Sequence, residues 1–469
     1  MHNNEKKVPF IDLISSMRLF ILLLVFIVYL FNWFQPTNVL QAQTSTHPII
    51  FLKQTDIQAI NQKVTQGTNP WKPAHDRLIS RANTALSQAA KSVVDNGGGL
   101  SYGPNYFATD APYTTDGVFD PNADRYDYSA AIEMSHAVRD LGLAYAFTGS
   151  SNYADKALQL IRHWTINSST KMLPLADNFG PQTPTHDSGG SIEVFITIPG
   201  MIYGADLIWN YPGWTLSDRS AFTTWVSQMG TDAMIRRTYS NNFENWRLVL
   251  VSTSGSMIDN NVLLDYAYTR YRSIIPNQID SSGRMVHEIN RTNSLSYSLY
   301  AINAMIQTAE VARNRGVNLY SYTTGDGRGL KLALDFHDNY AYAADPAATW
   351  TAETGYQQIT PLTANDNVAI YELANSYWNQ TSYMDVINRW GRPMDEIRTL
   401  SHVSLTHANR YELSPPSPFP SPSSSPSYTI AQLKSLLQSY LSNLDSNYRP
   451  LDMLVNMLDA GWVIRWLQP

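Results

Sequence analysis

Between His47 and Arg410 the apolar residues recur mostly at three- and four-residue spacing, the period of helices that bury one face. The spacing predicts helices over Thr55–Gln66, Trp71–Val94, Ser129–Thr148, Tyr153–Trp164, Ile192–Tyr211, Ser217–Ala233, Trp246–Tyr271, Ser294–Arg315, Gly329–Tyr342, Val368–Trp378 and Ser382–Trp390. Loops rich in Gly, Pro, Asn and Asp join them, and few stretches alternate as strands do. The fold class is all-α. So many amphipathic helices in one long domain suggest pairs packed as a bundle, a superhelix or a closed toroid. No fixed-period repeat is present, which weighs against the superhelix. A toroid gathers its loops at one end, where a groove can collect polar side chains.

Two stretches depart from simple amphipathic pattern. In Gly283–Gly316 the polar segment His287-Glu288-Ile289-Asn290-Arg291 runs into a helix whose Leu295, Leu299, Ile302, Ile306 and Ala309 share a face. Asn293 or Ser294 can cap its first turn and Gly316 can stop it. Arg291 then stands just before the helix and Tyr297 in its first turn. In Tyr239–Asn261, Asn241, Asn242 and Asn245 precede and enter an apolar helix beginning near Trp246. Capping accounts for one Asn, not for three. Two loops, Gly97–Arg125 and Leu173–Gly190, are long and polar enough to carry function.

The chain ends differ from its middle. Residues 1–45 resemble an export signal: Lys6, Lys7 and Arg18 precede an apolar run from Leu19 to Phe31, and Leu40-Gln41-Ala42 offers a cleavage site. The run is short for a spanning helix, which needs about 20 apolar residues. The expected location is periplasmic or extracellular. Residues 46–412 form the main domain. Residues 413–428, almost wholly Pro and Ser, read as an extended linker. Residues 429–469 carry two short helical patterns and suit a small attachment module. Within it Asp452, Asn456 and Asp459 fall at calcium-loop spacing, as in a degraded dockerin-type repeat. Tyr448, Pro450 and Met453 occupy positions where such a loop needs two ligands and a Gly, which weighs against calcium.

Composition narrows the chemistry. The net charge of −6 comes without basic blocks, which argues against nucleic acid. The absence of Cys rules out disulfides and thiolate catalysis. The 28 Tyr and 12 Trp suit either a sugar-binding cleft or an ordinary core. No cofactor is implied, and the chain is expected to be a monomer. His402 and His407 stand five apart, not at helical ligand spacing, and read as structural or surface residues.

Taken together, NNxxxW at one helix start (Asn241, Asn242, Trp246) and ExxRxxSLxYS at a later one (Glu288, Arg291, Ser294, Leu295, Tyr297, Ser298) resemble the alginate lyase superfamily. These are α/α-toroid polyuronate lyases, such as polysaccharide lyase families 5 and 38. The resemblance spans about His47 to Ala374. It implies an (α/α) toroid or incomplete barrel and β-elimination of a 4-linked polyuronate, alginate or glucuronan. Such chemistry must neutralise the uronate carboxylate, remove the C5 proton and protonate the leaving O4. By position, Asn242 neutralises, Arg291 supports it and Tyr297 moves the proton, its pKa open to lowering by the nearby cation. Family 5 enzymes carry His after the second Asn. Here that position is Phe243, so His186 is the candidate replacement and His287 the second. Asn241, Asn245, Trp246, Arg247, His287 and Tyr300 are expected to bind substrate.

Two other classes fit parts of the pattern. An α/α-toroid glycoside hydrolase needs paired carboxylates, and Asp187, Glu193, Glu244 and Glu288 are available. A secreted glycan-binding protein without activity suits the signal, linker and tail.

Overall fold

A computed structural model describes residues 46–95, 104–110, 112–174, 190–235 and 238–410. The chain divides into two units, Met1–Pro415 and Pro416–Pro469, and every described residue belongs to the first. Residues 1–45, His186 and Asp187, and the tail with Asp452, Asn456 and Asp459 lie outside the described residues.

In chain order the helices are α1 (Gln54–Thr65), α2 (Trp71–Ala85), α3 (Tyr126–Thr148), α4 (Ser151–Ile161), α5 (Gly190–Leu207), α6 (Leu216–Ile235), α7 (Asn242–Met257) and α8 (Asn261–Gln278). They continue with α9 (Ser294–Asn314), α10 (Leu330–Tyr342), α11 (Pro346–Thr354), α12 (Ile370–Trp378), α13 (Thr381–Trp390) and α14 (Val403–Thr406). A two-stranded hairpin, β1 (Tyr113–Thr115) and β2 (Val118–Phe119), lies between α2 and α3. Its register pairs Tyr113 with Phe119 and Thr115 with Val118.

The helices form two layers. The inner layer runs α3 on α5, α5 on α7, α7 on α9 and α9 on α12. Outer helices pack behind: α2 and α4 on α3, α6 and α8 on α7, α10 on α9. The sequence accounts for this sorting. Every residue of α7 from Glu244 to Met257 is buried, and such a helix, contacted on all sides, belongs inside. By contrast α13 buries only Tyr383, Val386 and Ile387 on one stripe. The last described residues return to the first, with α14 packing on α1, α2 and α12. Arg410 pairs with Asp56 and, at 2.6 Å, with Glu310, while Arg77 and Arg81 of α2 reach Asp395 at 2.7 and 2.9 Å. This is the expected all-α toroid.

The inner helices α3 and α5 meet at glycine. A Cβ on Gly204 would stand 2.5 Å from the Val138 carbonyl oxygen, and one on Gly142 would stand 2.7 Å from that of Gly204. Both obstacles are backbone and cannot swing away. Gly204→Ala gains up to about 1 kcal/mol of helix propensity, yet overpacking costs about 1–3 kcal/mol. Net destabilisation is the expected result, read as a lowered unfolding midpoint in thermal denaturation. No change, or a rise, would mean the helices can part at no cost.

Several element boundaries differ from the sequence reading. Trp246–Tyr271 is two helices, because Asp259 takes a left-handed φ of 52° and Asn260 caps a new helix, accepting from the amides of Val262 and Leu263. The helix begun at Trp71 ends at Ala85 rather than Val94. Helix α11 was not anticipated, although its signals stand in the sequence: Asp345 caps Ala348, Pro346 opens the first turn and Gly355 closes it at φ 76°. The hairpin sits inside the long loop expected to carry function.

Candidate active site

The start of α9 is fastened from elsewhere in the chain. Asn293 occupies the N-cap position without making a capping bond. Gln358 supplies it instead, its Oε1 accepting from the Ser296 amide at 3.0 Å. The Ser294 hydroxyl donates to the Gln357 carbonyl at 2.6 Å and accepts from the Trp350 indole at 2.7 Å. Asn293 Oδ1 takes the amide and hydroxyl of Thr360. The turn that presents Arg291 and Tyr297 is therefore held by residues far along the chain.

Arg291 lies over the Tyr297 ring, its guanidinium carbon 3.7 Å from the centroid. The hairpin fixes it there. Asp116 Oδ1 accepts from Arg291 Nε at 2.8 Å and Nη2 at 2.6 Å, and Asp116 Oδ2 accepts from the Thr292 amide at 2.7 Å. Burial opposes the Asp116 charge, but the bonds from Arg291 and Thr292 hold its carboxyl below the usual range. The turn residue Gly117 has φ 78°, and a Cβ there would stand 2.5 Å from Thr292 Oγ1. Only glycine lets the hairpin tip close this tightly.

Behind Arg291, Glu288 joins the site to α7. Its Oε1 accepts from the Asn242 backbone N–H at 2.7 Å and side-chain Nδ2 at 2.9 Å, and its Oε2 accepts from Nδ2 at 3.0 Å. Arg291 Nη1 stands 3.8 Å from Glu288 Oε2. Burial pushes the Glu288 carboxyl up to about 7, against the bonds from Asn242 and the charge of Arg291. Asn242, Glu288, Arg291 and Tyr297 thus form one contiguous group drawn from α7, the preceding loop and α9.

The Tyr297 phenol behaves differently from the sequence expectation. Burial raises its pKa, and the cation of Arg291 only partly offsets this. A guanidinium over the ring face stabilises a phenolate, but here half-burial outweighs it. The tyrosine is therefore a neutral phenol at pH 7, able to give a proton.

Aromatic and cationic side chains continue from Tyr297. Tyr300 meets it edge-on at 6.4 Å and packs against Trp246 at 5.0 Å. Arg398 stands 5.5 Å from the Tyr300 ring, donates to the Tyr128 hydroxyl at 3.5 Å and pairs with Asp366 at 2.9 Å. Arg125 lies 4.5 Å over the Tyr128 ring and pairs with Glu193. Asp116, Arg398, Tyr128 and Arg125 were not anticipated as site residues. Only the polar character of the Gly97–Arg125 loop hinted at the first and last, and nothing near Arg398 singled it out.

Other candidates take different places. Arg247 is fully buried, with all five N–H groups used: Nε and Nη2 on Glu244 at 3.0 and 2.6 Å, Nη1 on the carbonyls of Ala233 and Met234, and Nη2 also on Tyr266. It has no donor left for substrate, which corrects the substrate-binding expectation. Trp246 is buried beneath Tyr300 and exposes no face to a sugar. Asn245 is also buried, its Nδ2 3.4 Å from the Ala301 carbonyl. Asn241 caps α7, accepting from the Phe243 amide at 3.3 Å. His287 is exposed. His402 and His407 are buried structural residues, facing Asp395 and Asp140, and Glu310, respectively. Among the hydrolase carboxylates that are described, Glu193 faces Arg125, Glu244 faces Arg247 and Arg270, and Glu288 faces Asn242. Among the described residues no cluster of three or more carboxylates and histidines is arranged to hold a metal ion.

Comparison with known proteins adds the family. The model of the family described as alginate lyase matches residues 64–349. No curated protein matches by sequence. Among solved structures, an alginate lyase from Bacteroides ovatus superposes with a TM-score of 0.67 at 21% identity, over 77% of this chain and 99% of that one. Alginate lyase A1-III from a Sphingomonas species gives 0.55 at 17% over the same shares. A variant of A1-III bound to a tetrasaccharide gives 0.58 at 18%, again over 77% and 99%. At these identities the structural likeness establishes the fold.

Proposed function

Since the chain belongs to the alginate lyase family and is a polysaccharide lyase, we propose that it cleaves a 4-linked polyuronate by β-elimination, with alginate as the first substrate and glucuronan as the second. The observation that carries this reading is the contiguous group of Asn242, Glu288, Arg291 and Tyr297, with Arg291 stacked 3.7 Å over the phenol. The elimination removes the proton at C5, beside the uronate carboxylate, and expels O4 of the next sugar. Charge developing on that carboxylate needs donors placed in advance, and Arg291 is the cation proposed to supply them, with Asn242 beside it. The neutral Tyr297 phenol suits protonation of the departing O4. As base it first loses its proton, and the guanidinium over its ring stabilises the anion so formed. His186 is proposed as a second proton-transfer residue, from the sequence preceding α5.

A solved tetrasaccharide complex of a structurally similar alginate lyase supports a groove that takes several sugar units. The row of Arg398, Tyr128 and Arg125 beyond Tyr300 suits a polyanion with stacked rings. Residues 1–45 are proposed to direct export. Residues 413–428 are proposed as a linker to an attachment module.

Incubating the purified protein separately with alginate, polyglucuronate and hyaluronate tests this. The expected outcome is ultraviolet absorbance rising with alginate, or with polyglucuronate, as C4–C5 double bonds form. Flat absorbance with new reducing ends would mean hydrolysis. Flat absorbance without new ends on all three would overturn the substrate class.

A further inference from the structure

The Glu288–Asn242 pair poses a problem for the chemistry just described. Asn242 is 1% exposed, and its Nδ2 is taken by both oxygens of Glu288. Its Oδ1 is buried and has no hydrogen-bond partner. A carboxylate only accepts hydrogen bonds, so an ionised Glu288 draws the NH2 end of the amide onto itself. The end left over is then an acceptor. An acceptor oxygen repels a uronate carboxylate instead of neutralising it.

Protonation of Glu288 reverses this. A carboxylic acid keeps one oxygen to accept from the Asn242 backbone N–H and gains an O–H donor. That O–H can donate to Asn242 Oδ1 once the amide turns over, an exchange of two nearly isosteric atoms. Nδ2 then points where Oδ1 had pointed. Resting on the lyase reading above, we infer that Glu288 is a positioning residue whose proton determines whether Asn242 offers its donor or its acceptor end to the uronate carboxylate.

The surroundings of Glu288 fit such an exchange near neutral pH. Asn242 faces it from α7, Arg291 from its own segment at 3.8 Å, Asp116 bears on it from the hairpin, and Tyr297 from α9. Burial favours the protonated form, Asn242 and Arg291 the ionised form, and Asp116 adds to burial. A bound uronate brings a further negative charge and so favours the proton. Substrate binding above neutral pH then takes up one proton from solvent, with no covalent change.

Neutron diffraction of substrate-free crystals at pH 5.5 and pH 8.5 tests the inference without reference to any substrate. The expected result is deuterium on Glu288 with Nδ2 turned away from it at pH 5.5, and a bare carboxylate holding Nδ2 at pH 8.5. Nδ2 on Glu288 at both values overturns it, whatever polymer the protein cleaves. Kinetics supply the second arm. Glu288→Gln keeps an acceptor for the backbone N–H and a permanent donor for Oδ1. The wild-type KM is expected to rise about tenfold per pH unit above the Glu288 titration, whereas E288Q holds a low KM, flat with pH. A wild-type pH profile retained in E288Q would overturn the inference, as would a KM raised at every pH.

Discussion

Replacing Tyr297 by Phe is expected to lower kcat about 10³-fold, with little change in KM or thermal stability. The hydroxyl is the only atom removed. The ring stays, so the stack under Arg291 at 3.7 Å and the edge contact with Tyr300 at 6.4 Å survive. Positioned proton transfer contributes about 10²–10⁴-fold, and loss of both acid and base roles from one residue belongs near the upper half of that range. Absorbance of the unsaturated product gives kcat directly. A decrease of less than tenfold would move the proton-transfer role to another residue. His186 and Tyr300 are the next to substitute. The pH dependence has a definite sign. Because burial holds the phenol above its ordinary pKa, a base role for Tyr297 predicts kcat rising into the alkaline range, while a purely acid role predicts no such rise.

Arg247→Ala is expected to fail in a different way, through stability. Arg247 and Glu244 are both buried, and Arg270 is the other cation on Glu244, at 2.6 Å. Removing the guanidinium leaves a buried carboxylate half-compensated and strips donors from the carbonyls of Ala233 and Met234. Breaking a buried pair from one side costs about 3–5 kcal/mol. The expected fall in the unfolding midpoint is about 5–10 °C, taking a few degrees per kcal/mol for a large domain. Folded protein that remains is expected to keep its KM. A raised KM at unchanged stability would instead make Arg247 a substrate residue and contradict the five satisfied donors. Pairing the change with Glu244→Gln is expected to restore part of the loss, since it removes the stranded charge.

Sequence alone could not separate Asn242 from Arg247. Asn242 and Arg247 lie in one polar run at one helix start, and both looked able to meet a uronate. Their fates differ because the interior of the toroid has two sides. Arg247, turned toward α6 and α8, is saturated by protein groups: Glu244, the carbonyls of Ala233 and Met234, and Tyr266. Asn242 faces the turn before α9 and shares Glu288 with Arg291. A helical period shows that a face is buried but not which neighbour buries it.

What the sequence determined by itself is the part set by local physics. The three- and four-residue period specified helices, caps and glycines such as Asn260, Gly149 and Gly355 placed some of their ends, and the polar start of α9 put Arg291 shortly before the turn that carries Tyr297. Those relations depend on residues close in the chain. The family pattern rested on the same local spacings. Tertiary structure decided what depends on distant segments. Asp116 reaches Arg291 across 175 positions. Gln358 caps α9 through the amide of Ser296, 62 residues earlier. Burial raises Tyr297 where its neighbouring cation alone would lower it. Charge state and hydrogen-bond direction answer to the whole surrounding shell, and that shell is assembled only when the ring of helices closes.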